Sequence, residues 1–303
     1  MKAIRFDRFG GPEVLQLSEV DIPEPGPGQV RLKVRTAGVN PIDGKIRSGA
    51  MKAVFPTTFP ATPGAEVAGV VDAVGEGVTG LSVGQEVLGW ADSGAYAEYA
   101  LATVVAAKPA GLGWEDAATL PVAGETARRV LRLLEVGAGE TLLIHGAAGV
   151  VGSVAAQLAV ALGATVIGTA SAANHEYLVS LGVTPVEYGD GLVDRVRALA
   201  PSGIDAVFDA SGYGALPDSI TLRGGTGRIV TIADPAAEEL GIPFSGGATE
   251  RDRATDLADV VARAARGELR VRIGAVHPLA DAAEAQRVSD GGHARGKLVL
   301  TVG

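Results

Sequence analysis

The sequence predicts an α/β protein in which a doubly wound, Rossmann-type parallel sheet follows a barrel-like region of short strands. Three observations carry that expectation. Residues 141–170 read TLLIHGAAGVVGSVAAQLAVALGATVIGTA, a buried strand passing through a glycine turn into a helix and on to a second strand. From there to residue 233, strand and helix patterns alternate, which implies crossover connections and a sheet covered on both faces. The first hundred residues instead carry short apolar runs punctuated by Gly and Pro, the texture of an antiparallel barrel.

In chain order, residues 30–34 alternate apolar and charged side chains after the turn-rich PEPGPG. Residues 67–74 follow the Pro63-Gly64 turn, and GEGVTGLSVGQ then places glycines at 75, 77, 80 and 84. Strands at 87–90 and 95–105 complete this region. Residues 117–134 have helical apolar spacing, interrupted by Pro121 and Gly124. Strands follow at 141–145, 164–170, 185–188, 206–210 and 227–233, with helices at 149–163, 175–181 and 193–199. The closing segment shows helices at 250–266 and 279–288 and strands at 271–276 and 297–302, an ending able to return to the first region.

Composition narrows the function. Of 303 residues, 47% are hydrophobic and 20% charged, enough apolar material for the cores of two domains. The longest apolar run, 150–167, is broken by Gly152, Ser153, Gln157, Gly163 and Thr165, so no membrane span is expected. The opening MKAIRFDRFG lacks the apolar core of a secretory signal, and a cytoplasmic location is the expectation. A formal net charge of −9 argues against nucleic acid as a main partner. The chain has no cysteine, which excludes disulfides, thiolate catalysis and cysteine-ligated zinc.

The glycine turn is the most informative stretch. Gly146, Ala147, Ala148, Gly149, Val150, Val151 and Gly152 join the strand to the helix. Small residues permit the sharp turn, Gly149 lets a backbone approach a pyrophosphate, and Gly152 allows helix to pack closely on strand. Unpaired N–H groups at the helix start face anionic oxygens at the positive end of the dipole. The strand at 164–170 ends Thr169, Ala170, Ser171 without the acid that usually accepts bonds from the ribose hydroxyls of NAD. A 2′-phosphate meets no repulsion there, and Ser171, Asn174 and His175 can donate to it, although a helix N-terminus with polar surface residues fits the same three. NADPH is the expected cofactor.

Taken together, MKAIRFDRFGGPEVLQL, VRTAGVNPIDGKIRSG (34–49), TPGAEVAGVVDAVGEGVTGLSVGQEVLG (62–89), GAYAEYA (94–100), LPVAGETA (120–127), the glycine turn and GKLVL (296–300) resemble the medium-chain dehydrogenase/reductase superfamily, in its zinc-free, quinone-oxidoreductase-like branch. The resemblance spans essentially the whole chain. It implies a GroES-like β-barrel catalytic domain built from residues 1–118 and 249–303, with a Rossmann domain at 119–248 inserted between them and the active site in the cleft. It also implies a homodimer. Zinc-dependent relatives place a cysteine in the segment matching residues 38–43 and a His–Glu pair where this chain has Ala65-Glu66, so both zinc sites are expected to be absent.

The resemblance further assigns Asn40 near the nicotinamide with Asp43 close by, Thr126 facing the cofactor, and Tyr188 beside the adenosine half. Ser211, Ile232 and Ala233 line the cofactor cleft, and Lys297 falls near the site. From the residues alone, Asn40-Pro41 also fits a turn and Asp43 a helix cap. Val150 replaces a glycine common in the family's turn, His175 alone stands for the basic residue often found after the second strand, and Lys45 lies where many relatives carry a tyrosine. The implied reaction is hydride transfer from NADPH to a quinone or an activated, α,β-unsaturated carbonyl or alkene. An enoyl-thioester reductase and a nucleotide-binding redox sensor with little turnover are the rival readings.

Overall fold

The computed structural model describes residues 1–292 and 294–303. The chain forms two compact units, Met1–Val122 with Arg253–Gly303, and Ala123–Asp252 between them. The divisions fall at 122/123 and 252/253, each inside the first turn of a helix, where the sequence reading divides the chain at 118/119 and 248/249.

The first unit begins with β1 (Lys2–Arg5), β2 (Gln16–Glu19), β3 (Val30–Val39), helix α1 (Pro41–Arg47), β4 (Glu66–Val74), β5 (Glu86–Trp90), β6 (Tyr99–Ala102), β7 (Val105–Ala107) and helix α2 (Trp114–Ala117). The stretch expected as one strand over 95–105 is two. Thr103 and Val104 bend the chain, and residues 95–97 bond elsewhere, with Ala95 N–H donating to Gly64 O at 3.0 Å and Ala3 bridging Ala97.

The second unit takes in α3 (Pro121–Leu133), β8 (Thr141–His145), α4 (Val150–Ala161), β9 (Thr165–Thr169), α5 (His175–Ser180), β10 (Thr184–Val186), α6 (Leu192–Leu199), β11 (Ala206–Asp209), α7 (Leu216–Arg223) and β12 (Ile229–Thr231). Its five strands are all parallel, in the order β10-β9-β8-β11-β12. Numbered within the unit this is 3-2-1-4-5, the doubly wound order, with its switch point between β8 and β11. Pro121 opens α3 rather than interrupting it, because a first-turn proline has no intrahelical bond to lose, and Gly124 lies within the helix. The core on one face gathers Leu143, Ile167, Val196, Val207, Leu216 and Ile229, all less than 5% exposed.

The chain then returns to the first unit through α8 (Glu250–Ala265), β13 (Ile273–Pro278), α9 (Ala282–Asp290) and β14 (Lys297–Thr301). Strand β14 pairs antiparallel with β3, Leu298 opposite Val39 and Leu300 opposite Ala37, in a seven-stranded sheet ordered β13-β14-β3-β4-β5-β7, with β6 also on β3. Val30, Leu32 and Val34 of β3 point inward in alternation and share a core with Val67, Val71, Leu298 and Leu300. The chain's last strand is therefore built into the core of its first segment. Among the described residues, no helix is long and apolar enough to cross a membrane.

Candidate cofactor site and buried polar network

In the second unit, β8 ends at His145 and the chain turns through Gly146, whose φ of 72° is a conformation that favours glycine. Gly146 N–H donates to Thr169 Oγ1 and Ala147 N–H to Thr169 O, both at 3.1 Å, so the turn is tied to the end of β9. Ala147 is fully buried. A Cβ on Gly168 would sit 2.6 Å from that of Ala147, and one on Gly152 would overlap Gly146 O, so both glycines are needed for packing. Gly149 is different. It is exposed, extended at φ −71° and ψ 171°, and a Cβ there would meet only Gly146 O, at 3.2 Å. It is the N-cap of α4 and makes no side-chain cap bond. Ser153 N–H donates to Gly149 O at 2.9 Å, so the preceding N–H groups of Val150, Val151 and Gly152 have no acceptor within the helix. Ala148 leads into this helix start.

The neighbouring strand end is organised by a carboxylate that the sequence reading passed over. Asp209 is fully buried; its Oδ1 accepts from Ser211 N–H (3.0 Å), Ser211 Oγ (2.7 Å) and Gly212 N–H (3.1 Å), and its Oδ2 accepts from Thr231 Oγ1 (2.8 Å). Thr231 Oγ1 in turn accepts from Ala233 N–H at 3.1 Å, and Ile232 N–H donates to Asp209 O. One side chain thus shapes the turns carrying Ser211, Ile232 and Ala233. Gly146 lies across from Ser211, 3.2 Å from its Cβ to a would-be Cβ, at the switch point where open α/β sheets bind ligands. Below the turn, His145 is buried with Nε2 3.0 Å from Ser219 Oγ, whose own proton goes to Ala215 O. Burial pushes the imidazole below its ordinary range, against the pull of Asp209 and Asp218.

A groove of about 330 Å³ opens beyond β9, lined by Ala170, Ser171, Glu187, Tyr188, Asp190 and Arg195. Tyr188 falls in the loop after β10, which ends at Val186 rather than at residue 188, and it is 63% exposed. Arg195 donates to the carbonyls of Glu187, Tyr188, Gly189 and Asp190 at 2.7–3.4 Å, which holds the loop after β10 in place. Ser171 caps a short turn and accepts from Asn174 Nδ2 at 3.1 Å; His175, at the start of α5, does not line the groove. Thr126 is buried on α3, its hydroxyl 3.4 Å from Glu125 Oε2.

The other predicted residues belong to the first unit and meet in a buried polar network. Asn40 follows β3 and caps α1. Its N–H donates to Asp43 Oδ2 at 2.9 Å, and Tyr96 Oη donates to the same oxygen at 3.0 Å. Asn40 Nδ2 donates to Glu66 Oε1 at 2.8 Å, while Lys297 Nζ donates to Asn40 Oδ1 at 2.6 Å and to Glu66 Oε1. Glu66 Oε2 accepts from Val122 N–H at 2.8 Å. All five side chains are buried: Asn40 is 7% exposed, Asp43 3%, Lys297 1%, and Glu66 and Tyr96 not at all. Gly38 is glycine because a Cβ would run into the Glu66 carboxylate and sit 2.6 Å from Ala118 O. Burial pushes Asp43 up to about 6, against bonds from Asn40 and Tyr96 and the charge of Lys297 that pull it down. Burial and the facing Asp43 push Tyr96 well above its ordinary range. Glu66 was read only as half of a missing zinc pair and Tyr96 only as part of GAYAEYA; no local pattern announces either partner.

The sheet order, the glycine turn at its switch point and the strand-rich companion unit define a medium-chain dehydrogenase/reductase. Residues 26–113 match the alcohol dehydrogenase GroES-like domain family, and residues 181–300 match the zinc-binding dehydrogenase family. A quinone oxidoreductase of Sus scrofa is 35% identical over 326 residues, covering 99% of this chain and 97% of that protein. The solved quinone oxidoreductase of Coxiella burnetii is 33% identical with a TM-score of 0.87, covering 100% of this chain and 99% of that one. The Escherichia coli quinone oxidoreductase solved with NADPH is 27% identical at a TM-score of 0.88, over 99% and 100% of the chains. The CurK enoyl reductase is 25% identical at a TM-score of 0.88, over 100% and 99%. The chain belongs to the zeta-crystallin-like quinone oxidoreductases of that superfamily.

The family name of residues 181–300 raises the question of zinc, and the donor set does not fit it. The chain has no cysteine, Ala65 offers no ligand atom, and the Lys297 ammonium already neutralises Glu66. No group of three or more His, Cys, Asp or Glu able to hold a metal occurs among the described residues.

Proposed function

We propose that this oxidoreductase uses NADPH to reduce a quinone or an activated, α,β-unsaturated carbonyl or alkene. The observation that carries the reading is the glycine turn at the switch point: three N–H groups without intrahelical acceptors, an exposed Gly149, and no carboxylate at the end of β9. In this reading Val150, Val151 and Gly152 hold the pyrophosphate, with Gly146, Ala147, Ala148 and Gly149 giving it room. Thr169, Ala170, Ser171 and Tyr188 border the adenosine half, His175 standing behind them at the start of α5, while Thr126, Ser211, Ile232 and Ala233 serve the nicotinamide half. Bound NADPH would supply hydride from C4 of its nicotinamide, and one proton from water completes the reduction to hydroquinone or saturated carbonyl. Asn40 donates to the acceptor oxygen or the cofactor carboxamide, and Asp43 and Lys297 support it. A homodimer in the cytoplasm belongs to the same reading.

The test is to follow NADPH absorbance across a panel of quinones, enones and short enoyl thioesters. Turnover of quinones or enones, with tighter binding of NADPH than NADH, is the expected result. Activity confined to enoyl thioesters favours the second reading, a thioester-linked enoyl reductase, which the likeness to the CurK enoyl reductase supports. Equal or tighter binding of NADH would overturn the choice of cofactor.

A further inference from the structure

The partners of Asn40 leave its side-chain amide a single orientation. A carboxamide is nearly symmetric in shape, so turning it over exchanges oxygen for nitrogen at little steric cost. The Lys297 ammonium can only donate, and it lies 2.6 Å from Oδ1; the Glu66 carboxylate can only accept, and it lies 2.8 Å from Nδ2. Turning the amide over would set NH2 against ammonium and a carbonyl oxygen against carboxylate. Glu66 is itself fixed by Val122 N–H on its second oxygen and crowded by Gly38, so the reference point does not move.

Stability alone is a poor reason for such a pair. Two fully desolvated charges recover little net energy from their attraction, and apolar side chains of similar volume are often as good or better. Two opposite charges do what an apolar pair cannot: they decide which end of the neighbouring amide carries the hydrogens. With one Nδ2 hydrogen given to Glu66, the amide retains a single spare N–H.

We propose that Lys297 and Glu66 form a positioning pair for the reaction, holding the Asn40 carboxamide so that its spare N–H serves the acceptor oxygen or the cofactor carboxamide. The proposal rests on the reading of Asn40 given above. It takes Lys297 out of contact with the cofactor, since its side chain is buried and its ammonium is turned to Asn40 and Glu66.

The test combines the neutral double variants E66Q/K297M and E66Q/K297Q with Asn40→Ala, each checked for folding by circular dichroism and thermal melting. The second double variant keeps both positions polar and serves where the first does not fold. In either, the glutamine at 66 can offer its oxygen to Val122 N–H and its NH2 to Asn40, which then turns over. We expect kcat for quinone or enone reduction to fall about tenfold or more, the scale of one lost hydrogen bond, with NADPH affinity by fluorescence titration unchanged within about twofold. Asn40→Ala should lower kcat similarly, and adding it to the double variant should cost nothing further, since groups acting through one another are not additive. A folded double variant with wild-type kcat, or losses that multiply in the triple variant, would overturn the positioning role. Wild-type kcat in Asn40→Ala would sink the reading of Asn40 and this inference with it.

Discussion

Asp43 is held by groups that pull its proton affinity in opposite directions. Burial raises it most; the bonds from Asn40 N–H and Tyr96 Oη and the charge of Lys297 lower it, and Glu66 raises it again, for a value of about 6 against an ordinary 3.8. Because the folded protein holds this proton more tightly than the unfolded chain, the contribution to stability is full below about pH 4 and is lost as pH rises through 6. Two pH units correspond to about 3 kcal/mol. Asp43→Asn keeps an oxygen to accept from both Asn40 and Tyr96 and cannot ionise. The stability of the wild type relative to Asp43→Asn, from urea midpoints, should therefore fall by about that amount between pH 4 and pH 7. A difference that stays flat would show that Asp43 titrates in its ordinary range, and one that rises with pH would show that its proton affinity is lowered by folding; either overturns the expectation.

At the scale of elements, two glycines of the turn between β8 and α4 should separate fold from binding. Gly149 is exposed and a Cβ there would meet only Gly146 O, at 3.2 Å, a contact relieved by a shift of a few tenths of an ångström, and Asp there is a favourable N-cap that also complements the helix dipole, worth about 0.3–1 kcal/mol. The same carboxylate takes up the N–H groups that hold pyrophosphate in the proposed reading. Gly149→Asp should keep or raise the melting temperature while NADPH affinity drops by orders of magnitude, as charge-assisted bonds of about 1.5–3 kcal/mol each are lost. Gly152→Val should do the reverse damage, because its side chain would be driven into Gly146 O. A stable Gly149→Asp variant with normal NADPH affinity would place the cofactor elsewhere.

The βα turn could be read from sequence because every constraint on it is local: strand, small residues and helix follow one another within residues 141–161. The expected strand at 141–145 is the observed β8. Elements with weaker periodicity escaped notice. Strands β1 and β2 have only four residues each, α1 hides behind Asn40-Pro41, and α7 lies before the glycines at 224, 225 and 227. The buried network was legible in part. Asn40, Asp43 and Lys297 were named through resemblance, but the bonds that join Lys297 to Asn40 across 257 positions, and Tyr96 to Asp43 across 53, arise only when β14 pairs with β3 and the loop at 94–97 folds over.

For the whole molecule, the absence of cysteine and the bonding of Lys297 bear on which direction of chemistry is open. Oxidation of an unactivated alcohol needs its proton removed, and a zinc ion does this by lowering the pKa of the bound oxygen. To bind near Glu66, a divalent cation would have to displace a fully buried ammonium that already donates to Glu66 and Asn40, with no thiolate anywhere in the chain to stabilise it. Reduction of a quinone or enone requires no such step, since the acceptor itself spreads the charge that hydride brings. NADPH-linked reduction should therefore be unchanged by EDTA and by added zinc, and NADP-linked oxidation of simple primary or secondary alcohols should be negligible in the same preparation. Stoichiometric zinc in the purified protein, with activity lost to chelation and restored by the metal, would refute the assignment, and so would robust alcohol oxidation alongside silence toward every quinone and enone.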